Sequence, residues 1–395
     1  MPGFSATEVH IKLNGKGSDA RLTMGLGPFG GEDEALAKEI RDVVRSDLLL
    51  SRHFILVEEG DFKAQGAGWT LAAKISAAAN QITISARLTD IATGDAMLER
   101  YYRQDARFKR SAAHRLADDV VRQLTGRAGI AHTQIAFSSA KDGSKELWIM
   151  DYDGENLRQL TRHGSISILP RFSPDRKTIA YTSFKDGNPD LYLLSLETGK
   201  SRVGSKDQGL NVAGGFSPDG EKLLMTLSRQ KSPNLYLKNL ADGTVTQLTQ
   251  HFGADSSPTF SPDAQQVAFV SDRAGNPQIY ILDLTTRRAK RLTNMNWCDS
   301  PSWSPTGEWV AFSGRANSQD KLDIFLVDVT GGQVRQLTRG EGSNENPSWS
   351  PDGRFLAFTT TRRGKSELYV MDADGSAPHR VAEVPGAAGT PDWSK

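Results

Sequence analysis

Over the last two-thirds of the chain, apolar residues fall in short runs that recur in a fixed order. One run reads Ile135-Ala136-Phe137, Ile179-Ala180-Tyr181, Leu223-Leu224-Met225, Val267-Ala268-Phe269, Val310-Ala311-Phe312 and Leu356-Ala357-Phe358. A second follows each of these: Leu147-Trp148-Ile149, Leu191-Tyr192-Leu193, Leu235-Tyr236-Leu237, Ile279-Tyr280-Ile281, Ile324-Phe325-Leu326 and Leu368-Tyr369-Val370. A third closes on Thr161, Ser205, Thr249, Thr293, Thr338 and Ala382, often as Gln-Leu-Thr. β-Branched and aromatic residues in short runs between clusters of Gly, Pro, Asn and Asp predict strands.

A signature, Pro-x-Phe/Trp-Ser-Pro-Asp, precedes each first run. It begins as Pro170-Arg171-Phe172-Ser173-Pro174-Asp175 and returns in variants ending at Asp219, Asp263, Thr306 and Asp352, with a last copy at Pro391-Asp392-Trp393-Ser394. Its serines stand at 173, 217, 261, 304, 350 and 394, in steps of 44, 44, 43, 46 and 44. A constant period of this size marks a propeller or a solenoid. Within the signature, proline presets φ at one turn position, aspartate bonds nearby backbone, and glycine takes a conformation that a Cβ resists. The signature therefore predicts a hairpin between strands A and B, and pairs such as Asp153-Gly154, Thr198-Gly199, Asp242-Gly243 and Asp374-Gly375 predict one between C and D. Each repeat is then a four-stranded antiparallel meander, the size of a propeller blade.

Closure is legible as well. The set from Thr133 to Thr161 has strands B, C and D but no A, and Pro391–Ser394 is a strand A with nothing after it. Together they complete a sixth blade, and residues 132 to 395 number 264, six times 44. A closed ring leaves no open edge between blades.

The front of the chain follows other periodicities. Residues 1–14 form an arm, with Glu8 to Leu13 alternating like a strand. Residues 15–127 read as a small α/β domain, and 128–395 as the propeller. Strands are predicted at Arg21–Pro28, Phe54–Val57, Trp69–Ser76, Gln81–Thr89 and Ala96–Tyr102. Apolar residues at Leu36, Ile40, Val43, Val44 and Leu48 have helical spacing within Glu32–Leu50. A second helix, Ser111–Leu124, aligns Leu116, Val120 and Leu124, with Gly126 as its C-cap.

Composition narrows the function. Net charge is +1, from 48 basic and 47 acidic residues, and no Lys/Arg block gives an electrostatic footprint for nucleic acid. One cysteine, Cys298, allows no internal disulfide and reads as a small packed residue; this suits a reducing compartment or a periplasmic protein that does without disulfides. No apolar stretch is long enough to span a membrane. Met1–Thr7 lacks the charged-then-apolar pattern of a secretory signal, which leaves a cytoplasmic location or a processed leader. The seven histidines show no metal-ligand spacing, and no cofactor is expected. There is no Gly-x-Ser-x-Gly elbow; Gly215-Phe216-Ser217-Pro218-Asp219 lacks the second glycine and recurs as a turn in every blade. The aspartates at 175, 219, 263 and 352 read as turn caps, since blade four carries Thr306 in that place.

The connections from strand D to the next strand A stand out instead. They carry Ile166, Ile168 and Leu169, then Leu210 and Asn211, Phe252 and Asp255, Met295 and Trp297, and Asn344 and Asn346. In a propeller these segments gather with the B–C loops on one face around the channel. Apolar and aromatic side chains there point to a contact surface.

The junction carries a resemblance. Arg110-Ser111-Ala112-Ala113-His114-Arg115-Leu116-Ala117-Asp118-Asp119, then Leu124-Thr125-Gly126-Arg127-Ala128-Gly129-Ile130, then Thr133-Gln134-Ile135-Ala136-Phe137 resembles the interdomain linker of the TolB family of the Tol-Pal cell-envelope system. Glu8-Val9-His10-Ile11 is similar to that family's N-terminal segment, and the domain order matches over almost the whole chain. The resemblance implies a periplasmic, non-catalytic scaffold, expected to be a monomer, without nucleic acid. It implies that Glu8, Val9, His10, Ile11, Lys12 and Leu13 engage the C-terminal domain of TolA. It implies that the propeller face at the channel mouth engages the lipoprotein Pal, and that bacteriocins borrow that face. Carried onto this chain, Asn211, Ala213 and Ser256 are the closest matches to Pal-facing positions. Blade two departs from the signature, with Gly214-Gly215-Phe216 in place of the usual proline. The competing readings are a propeller bearing a hydrolase or lyase site and a sugar-binding propeller unrelated to Tol; the first needs a hydrolase domain or a carboxylate or metal cluster in the channel.

Overall fold

The structure, a computed structural model, describes residues 21–141 and 143–395. The arm Glu8–Leu13 lies outside the described residues. The chain divides into two compact units, Met1–Ala131 and His132–Lys395.

The front unit runs β1 (Leu22–Gly31), α1 (Glu34–Leu50), β2 (Phe54–Val57), β3 (Trp69–Ala78), β4 (Gln81–Asp90), β5 (Ala96–Asp105) and α2 (Lys109–Thr125). Its five-stranded sheet has the order β2-β1-β3-β4-β5, with β1 parallel to β2 and β3 and the rest antiparallel. Helical spacing builds α1 as expected: Asp33 caps it by accepting from the Leu36 N–H at 2.9 Å, and Ile40, Val43, Val44 and Leu48 are buried. α2 buries Leu116 and Val120 and ends on Gly126 at φ 70, the left-handed stop anticipated from sequence. Between the helices the buried His114 Nδ1 lies 2.8 Å from Asp47 Oδ2.

The second unit is a ring of six four-stranded antiparallel sheets. We number blades by the copies of the signature. The inner strands A are Ser167–Phe172, Asn211–Phe216, Asp255–Phe260, Trp297–Trp303 and Asn344–Trp349 for blades one to five, and Ala387–Trp393 for blade six. The last of these pairs with Gln134–Lys141, matching Trp393 to Ile135 and Ala388 to Ser139. The two ends of the unit therefore share one sheet, as the orphan strands require. Trp393 is 3% exposed, and its indole N–H donates to Thr133 Oγ1 at 2.8 Å.

The core lies between blades. Ile279 and Ile281 of blade three pack with Cys298, Trp303, Val310, Phe312 and Phe325 of blade four, and comparable clusters fill other blade junctions. Alternation along each strand sends one set of side chains to each neighbouring blade. Cys298 belongs to this packing, and burial pushes its thiol up to about 12.

The signature builds the hairpins. Ser173 Oγ donates to Asp175 Oδ1 at 2.6 Å and accepts from the Thr178 N–H at 3.0 Å, while Asp175 Oδ1 also accepts from the Lys177 N–H at 3.0 Å. The same set recurs at Ser261 and Asp263, and at Ser350 and Asp352. In blade four, Ser304 pairs with Thr306 through their hydroxyls at 2.9 Å. These hydrogen bonds hold the carboxyls of Asp175, Asp219 and Asp263 below the usual range, the serine hydroxyl contributing most.

Candidate interaction face

The third run of the repeat, ending in threonine, now has a physical role. Thr293 Oγ1 accepts from the Ile279 N–H at 2.9 Å and donates to Gln278 Oε1 at 2.9 Å, clasping strand D to the head of strand C. Gln278 then accepts from the Met295 N–H at 3.0 Å and donates to the Met295 carbonyl at 2.6 Å. In blade six, Glu146 accepts from Thr161 at 2.5 Å and from the N–H groups of His163 and Gly164 at 2.6 and 2.7 Å. In blade two, Thr249 Oγ1 accepts from the Leu235 N–H at 3.0 Å, and Asn234 Oδ1 accepts from the His251 N–H at 2.8 Å. A polar residue stands at or near the start of strand C in every blade: Asp190, Asn234, Gln278, Asp323, Glu367 and Glu146, all buried. Each stands one position before the apolar run of strand C, so the period carried the signal, although the sequence reading passed over it. Blade five has Ala382 in place of threonine, and there Glu367 is held by Arg380 at 3.2 Å.

These clasps fix the D–A connections from below and leave apolar side chains above. Phe252 is 90% exposed, with the His251 ring 4.3 Å away, centroid to centroid. Trp297, Leu210 and Ile166 are also exposed, and Arg315 lies over the Trp297 indole at 5.7 Å while bonding Asn296 at 3.1 Å. Met295 packs instead against the core between blades three and four.

The loop placement expected from sequence is corrected for Ile168, Leu169, Asn211, Ala213, Asp255, Ser256, Trp297, Asn344 and Asn346: all lie on inner strands. The cause is a bulge. Every strand A slips register ahead of its Phe or Trp. At that point Leu169, Ser257, Ser300, Asn346 and Thr390 have φ between 46 and 57, and a proline follows each of them. A left-handed residue before proline reads as a turn, so these five inner strands look half their true length, and in blade two the pair Gly214-Gly215 reads as a break in the same way.

Asn211, Asp255 and Asn344 are fully buried and Ala213 nearly so. Their side chains brace the face from within. Asp255 takes a two-pronged bond from Arg273 at 2.9 and 2.8 Å. Asn211 Oδ1 accepts from Ser205 and from the Asp207 N–H, both at 2.8 Å, and Asn344 donates to Asp323 at 2.9 Å.

The channel is lined by the bulged strands. One ring comprises Arg171, Gly215, Thr259, Ser302, Ser348 and Asp392, one from each blade. Asp392 accepts from the Phe172 N–H at 2.7 Å and faces Arg171 at 3.8 Å, while Ser348 accepts from the Trp393 N–H at 2.9 Å. The ring thus stitches blade to blade. Burial raises the Asp392 carboxyl, against the pull of Arg171. Nearer the face, burial and the neighbouring Glu345 charge raise the Asp299 carboxyl.

A six-bladed propeller joined to a small α/β domain, with an apolar face at one end of its channel, defines a class of two-domain propeller proteins. The model of the TolB beta propeller domain matches residues 121–395, and the chain belongs to that family. The structure is similar to the crystal structure of TolB from Acinetobacter baumannii, with a TM-score of 0.81 and 27% identity over 95% of this chain and 96% of that one. Among curated relatives, the chain is 36% identical over 166 residues to the "Tol-Pal system protein TolB" of Geobacter sulfurreducens and 36% identical over 162 residues to the "Protein TolB homolog" of Chlorobium chlorochromatii. These alignments span 38% and 37% of the relatives' lengths. No helix among the described residues is long and apolar enough to cross a membrane.

Proposed function

We propose that this chain is a non-enzymatic periplasmic scaffold of a Tol-Pal system. In this reading the face carrying Leu210, Phe252 and Trp297 engages the lipoprotein Pal, and the arm Glu8–Leu13 engages the C-terminal domain of TolA. The protein links the inner membrane to the outer, supports outer-membrane integrity and constriction at division, and offers the same face to bacteriocins. The observation that carries the reading is the exposed apolar set on the D–A connections, Phe252 foremost, in a chain similar to TolB over nearly its full length. A closed propeller is rigid, so a partner docking there loses little free energy to ordering that side. The alternating arm suits addition to the edge of a partner's sheet.

The test is a pair of titrations with purified Pal and TolA domains. Saturable binding of both is expected, with loss of TolA binding alone on deleting residues 1–13. Failure of either domain to bind the intact chain contradicts the reading.

A further inference from the structure

The hairpin joining strands C (Gln278–Asp283) and D (Ala289–Arg291) of blade three departs from its five counterparts. In the others, the left-handed residue bonded to the end of strand C is glycine: Gly199 at φ 68, Gly243 at 77, Gly331 at 80, Gly375 at 90 and Gly154 at 91; Asn156 and Ala377 are further left-handed residues in the hairpins of blades six and five. Each donates its N–H to the carbonyl of the residue at the end of strand C, as Gly199 does to Ser195 at 2.9 Å. In blade three the same bond, 2.9 Å to the Asp283 carbonyl, comes from Arg287 at φ 59. A Cβ resists this conformation, which the ring imposes on an arginine at an exposed tip. At this bonded position blade three therefore carries a charge where the other five blades carry no side chain.

Charge is the second observation. Arg287, Arg288, Lys290 and Arg291 are all exposed. Lys290 donates to the Thr330 carbonyl of the next blade at 2.7 Å, and none of the four takes part in an ion pair among the described residues. Elsewhere on the propeller, Arg229, Arg273, Arg362 and Arg380 each pair with a carboxylate. Four of the counterpart hairpins carry acidic residues: Glu197, Asp242, Asp374, and the pair Asp153 and Glu155. Arg287-Arg288-Ala289-Lys290-Arg291 is a local basic run, which a net charge of +1 conceals.

We propose that this hairpin docks on an anionic phospholipid surface. The hairpin itself exposes no aromatic or large apolar side chain, whereas a protein interface needs an apolar centre. A headgroup layer needs none; it attracts each basic side chain independently and demands no matching shape. Hairpin C–D also lies at the opposite end of the strands from the D–A connections, so the lipid contact leaves the apolar face open.

The test uses the full chain and flotation with vesicles of phosphatidylcholine, alone or mixed with phosphatidylglycerol. Binding only to the mixed vesicles, weakening as salt is added, is expected. Arg287→Gly weakens it about fivefold by removing one charge, yet raises the melting temperature by relieving the turn. The triple variant Arg288→Gln, Lys290→Gln, Arg291→Gln falls to the level of phosphatidylcholine alone while melting as the parent does. Absence of binding to mixed vesicles, or equal binding by the triple variant, overturns the proposal. So does retention on DNA or polyglutamate without binding to vesicles, which assigns the hairpin to an acidic macromolecule.

Discussion

Asp299 shows how the channel sets the chemistry of one residue. Its carboxyl is raised by burial first and by Glu345 second, and it accepts from the Ser300 N–H at 2.6 Å. A folded value above the unfolded one means that stability is lost as pH rises through the folded value. Asp299→Asn keeps the acceptor and removes the charge. The variant is expected to be more stable than the parent at neutral pH, with the gain vanishing below about pH 4, where the aspartate is protonated in both states. Urea denaturation at the two pH values checks this. Three of the turn aspartates run the other way: Asp175, Asp219 and Asp263 have lowered values, so their contribution is present above the ordinary carboxylate pKa and fades as pH falls through the folded value, whereas burial raises Asp352 despite the same bonds. A serine in every copy of the signature, with an aspartate two residues on in four of the six, could have meant repeated catalysis. Their bonds to each other and to the turn backbone account for both residues.

At the scale of one blade, the clasp between strands C and D decides where the D–A connection sits. Thr293 is 2% exposed and serves the Ile279 N–H. Thr293→Val leaves that buried donor unpaired, at a cost of about 2 kcal/mol, which thermal denaturation measures. Gln278→Leu also releases both bonds to Met295. Faster amide exchange at Met295 in this variant is the expected sign that the connection has come loose, and unchanged exchange there would remove the clasp from the mechanism. The strands were legible in the sequence because β-branched and aromatic runs recur between turn residues. The inner strands were only half legible, since in five blades a left-handed residue and proline at the bulge imitate a loop, and in blade two the pair Gly214-Gly215 does the same. Asn211, Asp255 and Asn344 were misplaced for that reason, and as fully buried braces they present no surface of their own. Phe252, Leu210 and Ile166 do lie on connections, and their exposure is what their apolar character in a polar context announced.

At the scale of the molecule, one sheet made from two distant segments closes the ring. The period of 44 and the two unpaired segments made this legible before any coordinates, because a meander that lacks one strand must find it elsewhere. The hydrogen-bond ring at Arg171, Ser348 and Asp392 was not legible, since its members share a position but not a residue type. Trp393 anchors the closure, filling the junction at 3% exposure and bonding Thr133. Trp393→Ala is expected to destabilise the propeller by about 3–5 kcal/mol, seen as a lower denaturant midpoint; a loss under about 1 kcal/mol would mean that the closing strand carries little of the ring's stability.

The proposed role rests on the apolar face, and affinity for Pal reads that face directly. Calorimetric titration of a soluble Pal domain into the parent, into the double variant Phe252→Ala, Trp297→Ala, and into Tyr101→Ala is the measurement. Tyr101 is 76% exposed on β5 of the front unit and serves as a control for exposed aromatic residues in general. The expected result is at least tenfold weaker binding by the double variant, since truncating a buried aromatic anchor costs about 2 kcal/mol or more, with Tyr101→Ala binding as the parent does. Parent-like affinity in the double variant would place the Pal contact elsewhere and contradict the assignment of the face.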